Sequence, residues 1–477
     1  MNPIANIAKN IASLFLSRLL NIGIGLFFWV FAARMLGGAA YGRFLYVTAF
    51  VGIVAVIADF GLDNLVVREV AKDKTKGGKY LGNVLITKFL LSLLVMISVY
   101  IFALIKHSPR ETSLALMIWA SSILFSSTKK TLWAYSDAFE HIEYRAILSI
   151  VVDVFKTGLG LLALLNGLGV IPLIIVCFLA EIVGVIMSFA LVTKRFGSPD
   201  WKFNLEFSKS LMSLAYPFVL LGLLSMIYLR IDILMLEWMK GDEVSGWYGS
   251  AYKIIEALMF VSESFMISLF PVMSRFYKTS KDSLYRVYEK SFTYLLMLGL
   301  PIAMGVTILA DRFILLIYKE EYINSIPVLR ILVWSLALTF INAPYGRILI
   351  VINRQREWLL VGAVNTALNI ALNLIFIPRF SYVGAGVATL ITEFTGFMLL
   401  YYLVSRYLYR INPLKLSWKP IISVLVMGTY LYSFREASLW ILIPTSAIIY
   451  AVVLTLLKGL GEDDLSIFRR ALALNRE

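Results

Sequence analysis

The sequence predicts an all-α polytopic membrane protein with fourteen transmembrane helices. Three observations carry that reading. Apolar residues make up 60% of the chain and charged residues only 16%, against about 25% charged in a soluble domain. Apolar runs long enough to cross a bilayer recur along nearly the whole length. The runs are continuous rather than alternating, which excludes a β-barrel.

In chain order the spans fall at about 11–36, 43–62, 80–105, 112–135, 144–166, 170–193, 211–238, 248–271, 291–310, 326–346, 357–377, 383–404, 420–434 and 438–457. The first run lacks a small-residue cleavage site after a short apolar core, so it is expected to be retained as a helix and not removed as a signal peptide. Lysine and arginine concentrate in one set of alternate gaps, among them Arg68, Lys72, Lys74, Lys76, Lys79, Lys194, Arg195, Arg275, Lys278 and Arg410. That bias places this set of gaps and both termini in the cytoplasm. The tail from Glu462 fits a short surface helix with Leu465, Phe468 and Leu472 on its apolar face.

A weak repeat organises the spans. Tyr41-Gly42, at the start of the second, matches Tyr248-Gly249 at the start of the eighth, and the same spacing relates Arg68 to Arg275. Two halves of six spans follow: a lobe at 1–200 and a second at 201–410, with two extra helices and a tail at 411–477. Six is even, so both halves run the same way through the membrane, an arrangement that transporters use with the site between the halves.

Charge inside the spans is the functional signal. Arg18, Asp59, Asp153, Lys156, Arg230, Asp232, Lys253, Glu256 and Glu393 all fall deep within apolar runs. Facing lipid, they would cost on the order of 25 kcal/mol at roughly 3 each, more than the typical stability of a domain, about 5–15 kcal/mol. Most must therefore face a polar interior. Small and polar stripes share those faces: Ser13, Ser17, Asn21 and Gly25; Thr48, Gly52, Ala55 and Asp59; Ser149, Asp153, Lys156 and Gly160; Asn365, Asn369 and Asn373; Thr389, Thr392, Glu393 and Gly396. Helix packing through small residues and interhelical hydrogen bonds is the competing explanation for the stripes, and a neutralised helix–helix tie for Lys253 with Glu256.

Several chemistries are absent. The +14 net charge has no soluble basic domain to carry nucleic-acid binding. No glycine-rich lysine loop marks an ATP motor, and His107 and His141 lack metal-ligand spacing. Cys177, the single cysteine, is a buried small hydrophobe. No cofactor or metal is expected, and short outer loops argue against an enzyme.

In combination, RMLGGAAYGRF and GLDNLVVREVAK in the first half, with IDILMLEWMKGDEVSGWYGSAYKI, FPVMSRF, LGLPIAMGV and NTALNIALNLIFIPRFSYVGAGVATLITE in the second, resemble the polysaccharide transporter family, the Wzx-type flippases of lipid-linked oligosaccharides, in a superfamily shared with MATE exporters and peptidoglycan-precursor flippases. The resemblance implies two six-helix lobes about a central cavity. It also implies a substrate with a polyprenyl tail, a phosphate or pyrophosphate and a sugar chain, turned across the cytoplasmic membrane, with contact to glycan-assembly enzymes fitting that setting. A sugar–phosphate head needs a polar path through hydrocarbon and cations to hold its phosphates. Arg18, Arg230, Lys253, Asn21 and Lys156 are the substrate-binding candidates. With no ATP site, drive would come from H+ or Na+, or from removal of the product. Asp59, Asp153, Asp232, Glu256 and Glu393 are the coupling candidates. The alternatives are a MATE-like exporter of small molecules, a membrane glycosyltransferase or polymerase, and a scaffold without transport.

Overall fold

In the computed structural model, residues 3–106 and 108–459 are described, with side chains from Leu19 onward. The helices run in order α1 Pro3–Leu36, α2 Gly38–Asp59, α3 Leu62–Lys72, α4 Gly77–Ile105, α5 Arg110–Ala138, α6 Ile142–Leu165 and α7 Val170–Phe196, then α8 Leu205–Lys240, α9 Asp242–Thr279, α10 Lys281–Tyr318, α11 Ser325–Val351, α12 Gln355–Tyr407, α13 Pro413–Ser433 and α14 Leu439–Leu456. No strand occurs among the described residues. Every predicted span falls on a helix. The tail helix from Glu462, His107 and the Arg18 side chain lie outside the described residues.

Eleven helical stretches are long and apolar enough to cross a membrane by length and composition. α5 is not among them, because serine and threonine dilute its hydropathy. Its hydroxyls are nonetheless satisfied internally: Ser121 and Thr128 donate to carbonyls one turn back at 3.0 and 2.8 Å, which lets such a helix sit in hydrocarbon.

One predicted gap is a break within a helix, and one predicted span contains a turn. The eleventh and twelfth spans share α12, which breaks at Ser381 (φ 54°, ψ −138°) just after Pro378. There the Pro378 carbonyl accepts from Lys240 Nζ at 3.0 Å. The second span turns at Phe60 and Gly61, both with positive φ, and continues as α3. A Cβ on Gly61 would lie 2.4 Å from Phe218 Cβ, so glycine is needed here for conformation and for space.

The chain divides into two compact units, one of Met1–Lys253 with Thr366–Ala385 and one of Ile254–Asn365 with Gly386–Glu477. The first is built around Leu62, Leu65, Val66, Leu81, Val84, Leu132 and Tyr135, which close the α3–α4–α5 corner against Leu211 and Ala215 of α8. The second includes a cluster of Met297, Leu309, Val424, Met427, Leu431, Leu442 and Leu454, through which α10 holds α13 and α14. Pro301 lies inside α10 and cannot donate to the carbonyl four residues back, that of Met297. Tyr450 of α14 supplies the missing donor, its hydroxyl 2.9 Å from Met297 O. Tyr450→Phe is therefore expected to destabilise the protein by about 1–2 kcal/mol. Thermal unfolding in detergent checks this, and an unchanged midpoint would show that another donor serves that carbonyl.

Candidate functional site

The two helices that carry the repeated Tyr-Gly motifs near their starts meet within the first unit. The start of α2 and the start of α9 approach until backbone touches backbone. A Cβ on Gly42 would lie 1.7 Å from the Asp242 carbonyl oxygen, and one on Gly246 would lie 2.1 Å from that of Gly38. Only glycine permits this seam. Charge brackets it. Arg43 Nε donates to Asp242 Oδ2 at 3.1 Å, and its Nη1 donates to Glu111. Asp242 and Glu111 both stand in the first turns of their helices, where carboxylates also favour the dipole. Beside the seam, Lys106 Nζ reaches Tyr46 Oη at 3.0 Å and Glu237 Oε2 at 3.3 Å.

Further along α9, Tyr248 reaches Asp232, the most enclosed of the predicted carboxylates. Tyr248, fully buried, donates to Asp232 Oδ2 at 2.6 Å, and Asn373 Nδ2 donates to Asp232 Oδ1 at 2.6 Å. Asn373 also donates to Asn369 Oδ1 at 3.0 Å. Asp232 is 6% exposed, Asn369 1% and Asn373 0%. The Asn373 Oδ1 atom is buried with no hydrogen-bond partner among the described residues. The node thus combines a carboxylate, two amide oxygens and a phenol, oxygen donors of the kind hard cations take. The asparagine stripe on α12, which repeats every four residues, places Asn369 and Asn373 one turn apart on the face that meets Asp232.

A second cluster joins α2, α3, α4 and α5. Lys88 is 1% exposed, and its Nζ lies 3.1 Å from Asp59 Oδ1 and 2.9 Å from Asp63 Oδ1. Asp59 also receives Ser127 Oγ at 2.9 Å and Lys130 Nζ at 2.6 Å, and Asp63 receives Thr131 Oγ1 at 2.8 Å. The adjacent Lys129 points the other way, to Glu181 Oε2 at 2.6 Å.

The remaining candidates fall as follows. Asn21 on α1 donates to Ser149 on α6 at 2.8 Å. Lys156 and Asp153 form an (i, i+3) pair at 2.7 Å on α6, with the Lys156 ammonium 5.4 Å from the Phe28 ring. Lys253 is 8% exposed, with its ammonium 4.1 Å above Trp29, a cation–π contact. Arg230 on α8 is half-buried, as is Glu256 on α9. In the second unit Glu393 accepts from Asn342 Nδ2 at 3.0 Å.

The structure brings together Asp59 with Lys88 and Lys130, Asp153 with Lys156, and Asp232 with the asparagines. Asp63, Lys88 and Tyr248 are partners that sequence reasoning left without a role. Asp63 stands four residues after Asp59, but the turn at Phe60 and Gly61 lies between them, so helical spacing could not pair the two. Among the described residues no group of three or more His, Cys, Asp or Glu gathers for a metal ion.

Comparison with known proteins places this geometry. The fold is that of polytopic transporters. The solved lipid II flippase MurJ in an inward closed conformation aligns over 98% of this chain and 100% of its own, with TM-score 0.78 and 17% identity. An inward-facing multidrug-resistance MATE transporter aligns over 82% and 95%, with TM-score 0.63 and 17% identity. The family described as "Polysaccharide biosynthesis protein" matches residues 7–277, more than half of the chain, and the lipid II flippase MurJ family matches residues 248–452. The chain belongs to the polysaccharide biosynthesis protein family, as its motifs implied. Among curated relatives, the probable low-salt glycan biosynthesis flippase Agl15 of Haloferax volcanii is 24% identical over 90% of each chain. An uncharacterized membrane protein of Methanocaldococcus jannaschii, MJ1068, is 23% identical over 47% of this chain.

Proposed function

We propose that the protein flips a polyprenyl phosphate- or pyrophosphate-linked oligosaccharide across the cytoplasmic membrane for cell-surface glycan synthesis, by alternating access of two lobes. The observation that carries this reading is end-to-end similarity to a probable glycan flippase, in a chain that keeps ionised groups such as Asp59, Lys88 and Asp232 off the lipid-facing surface. In this reading fourteen helices cross the membrane, as lobes at 1–200 and 201–410 plus the pair at 411–477, with both termini cytoplasmic. Arg18, Arg230, Lys253, Asn21 and Lys156 meet the sugar–phosphate head. Lys253 and Lys156 lie against the rings of Trp29 and Phe28, a setting that tolerates an enclosed cation. Asp232 is the coupling carboxylate best supported by geometry. Its enclosure makes an uncompensated charge costly, and the spare Asn373 oxygen favours Na+, with H+ as the other coupling ion.

Leaflet-resolved transfer of a fluorescent lipid-linked sugar in proteoliposomes tests the proposal. Transfer without ATP, accelerated by an imposed Na+ or H+ gradient, is the expected result. Efflux of cationic dyes with no effect on the sugar lipid would make the protein a MATE-like exporter instead, and sugar transfer to an acceptor by the protein alone would make it an enzyme.

A further inference from the structure

We infer that the linker between α7 and α8 is a binding surface for anionic phospholipid. Trp201 and Phe203 enter the headgroup layer, and unpaired basic residues around them hold the phosphates. The inference goes beyond the flippase reading and does not depend on it.

The linker, residues 197–204, has no helix or strand of its own, yet its backbone is fixed. The first turns of α4 form the slot that holds it. Gly78 and Gly82 lie one turn apart there, and a Cβ on Gly82 would run into the Asp200 carbonyl, so glycine lets the chain lie directly against the helix. Asp200 N donates to Gly78 O at 2.9 Å. Asn83, fully buried, takes both backbone groups that flank Phe203. Its Nδ2 donates to Lys202 O at 3.3 Å, and its Oδ1 accepts from Asn204 N at 2.8 Å. The side-chain amide thus does what a neighbouring β-strand does and holds the chain extended. Asn204 in turn caps α8, its Oδ1 accepting from Phe207 N at 2.9 Å. In extended backbone Trp201 and Phe203 project to one side. They are 55% and 42% exposed. Two large aromatic side chains are held outward on a backbone bonded in place at both ends.

The setting identifies what covers them. α7 and α8 are both long and apolar enough to cross a membrane, so the short segment joining them lies at a membrane face, where tryptophan favours the headgroup depth. The charge around the rings is basic. Lys194 and Arg195 in the last turn of α7, Lys202, Lys209 and Lys79 are all exposed, and none forms an ion pair with a described residue. Lys79 stands over the Phe207 ring, its ammonium 4.6 Å from the centroid. The acidic residues of the same segment are Asp200 and Glu206. The turns at 68–79 and 137–145 pack beside it, through Asp200 on Gly78 and the Phe139–Phe196 ring contact. Over all three segments ten basic residues face seven acidic ones, so this end of the first unit stays net basic. On the neighbouring turn, by contrast, Lys72 pairs with Glu69 and Lys76 with Asp73. Unpaired cations grouped beside a span mark anionic-lipid recognition. A lipid surface supplies both their counter-charge and an apolar layer for the rings.

Native mass spectrometry of the purified full-length protein, titrated with phosphatidylglycerol or phosphatidylcholine, tests the inference. The unmodified protein is expected to bind phosphatidylglycerol about tenfold more tightly than phosphatidylcholine. Lys202→Gln combined with Lys209→Gln is expected to weaken phosphatidylglycerol binding about tenfold and to leave phosphatidylcholine unchanged. Trp201→Ala is expected to weaken both. Lys72→Gln combined with Lys76→Gln removes the same charge from paired positions and is expected to stay within about twofold of the parent. Parent affinity in the Lys202 and Lys209 double variant, at a matched unfolding midpoint, overturns the inference. An equal loss in the Lys72 and Lys76 variant reduces the effect to overall net charge and overturns it as well. Loss with Trp201→Ala but no preference between the two lipids leaves an aromatic anchor without headgroup recognition, against the anionic assignment. Displacement of phosphatidylglycerol by an equal concentration of a short polyprenyl pyrophosphate gives the site to the transport substrate and overturns the phospholipid assignment. The flippase reading is tested separately, by transfer of the lipid-linked sugar.

Discussion

Asp232→Asn is expected to abolish the response of transport to an ion gradient and to slow net flipping by tenfold or more. The reason lies in what surrounds the carboxylate. Tyr248 and Asn373 each donate to it at 2.6 Å, and the side chain is 6% exposed. A carboxylate buried to this degree is costly to hold charged, so a proton or a metal cation taken up here would stabilise the folded state. An amide at this position keeps one acceptor and loses the charge. It also turns an NH2 group toward a donor, which costs about 1–3 kcal/mol, so the variant should still fold in a stable host background. If Na+ is the ion, the unfolding midpoint of the unmodified protein rises with Na+ concentration by mass action, and that of Asp232→Asn does not. If the ion is H+, Na+ leaves both midpoints alone while the pH dependence of transport differs between them. Identical transport and identical ion responses in the two proteins would reduce Asp232 to a hydrogen-bonded tie between α8 and α12.

The fold was legible where hydrophobicity alone decides it. Each apolar run became a helix, and the gap near residue 380 falls on a true break, because Pro378 removes a donor and Ser381 takes a positive φ. Helix lengths were less legible. α10 begins at Lys281, ten residues before the predicted span, because its first turns are polar and Ser280 caps them through Ser283 N. Hydropathy registers the hydrocarbon and not the helix that extends beyond it. The charges were readable as residues that must turn inward, but their partners were not. Asp59 meets Lys130 across 71 positions of sequence, and Asp232 meets Asn373 across 141. Such pairs depend on how each helix is rotated about its axis, which local pattern constrains only to within a face. Asp232 illustrates the gap: its burial cost was evident, whereas the asparagine stripe opposite it read equally well as helix packing.

The seam between the starts of α2 and α9 leads to the last expected result. Gly246→Ala should cut transport by at least tenfold, and Gly246→Val should do no better. Alanine normally counts as a mild replacement in a helix, and it improves intrinsic propensity. Here the added carbon would sit 2.1 Å from the Gly38 carbonyl oxygen and 3.0 Å from its carbon. Both are backbone atoms, so no rotamer relieves the clash and the helices must move apart. Overpacking of this kind costs about 1–3 kcal/mol, and separation would also lengthen the Arg43–Asp242 pair, now 3.0 Å. In the proposed orientation, with both termini cytoplasmic, the seam is at the outer end. In a protein that alternates between inner and outer access, the substitution therefore acts against the state in which that end is shut. General misfolding predicts a different signature. A cysteine placed at Ser245, which is 0% exposed, should be slow to react with a membrane-impermeant thiol reagent in the parent. In Gly246→Ala it should react quickly, with the unfolding midpoint lowered by only a few degrees. Cys177 is buried and leaves the reading clean. Fast labelling with wild-type transport would show that the seam does not govern access, and a collapse of the midpoint with no folded protein would assign the glycine to assembly of the first unit alone.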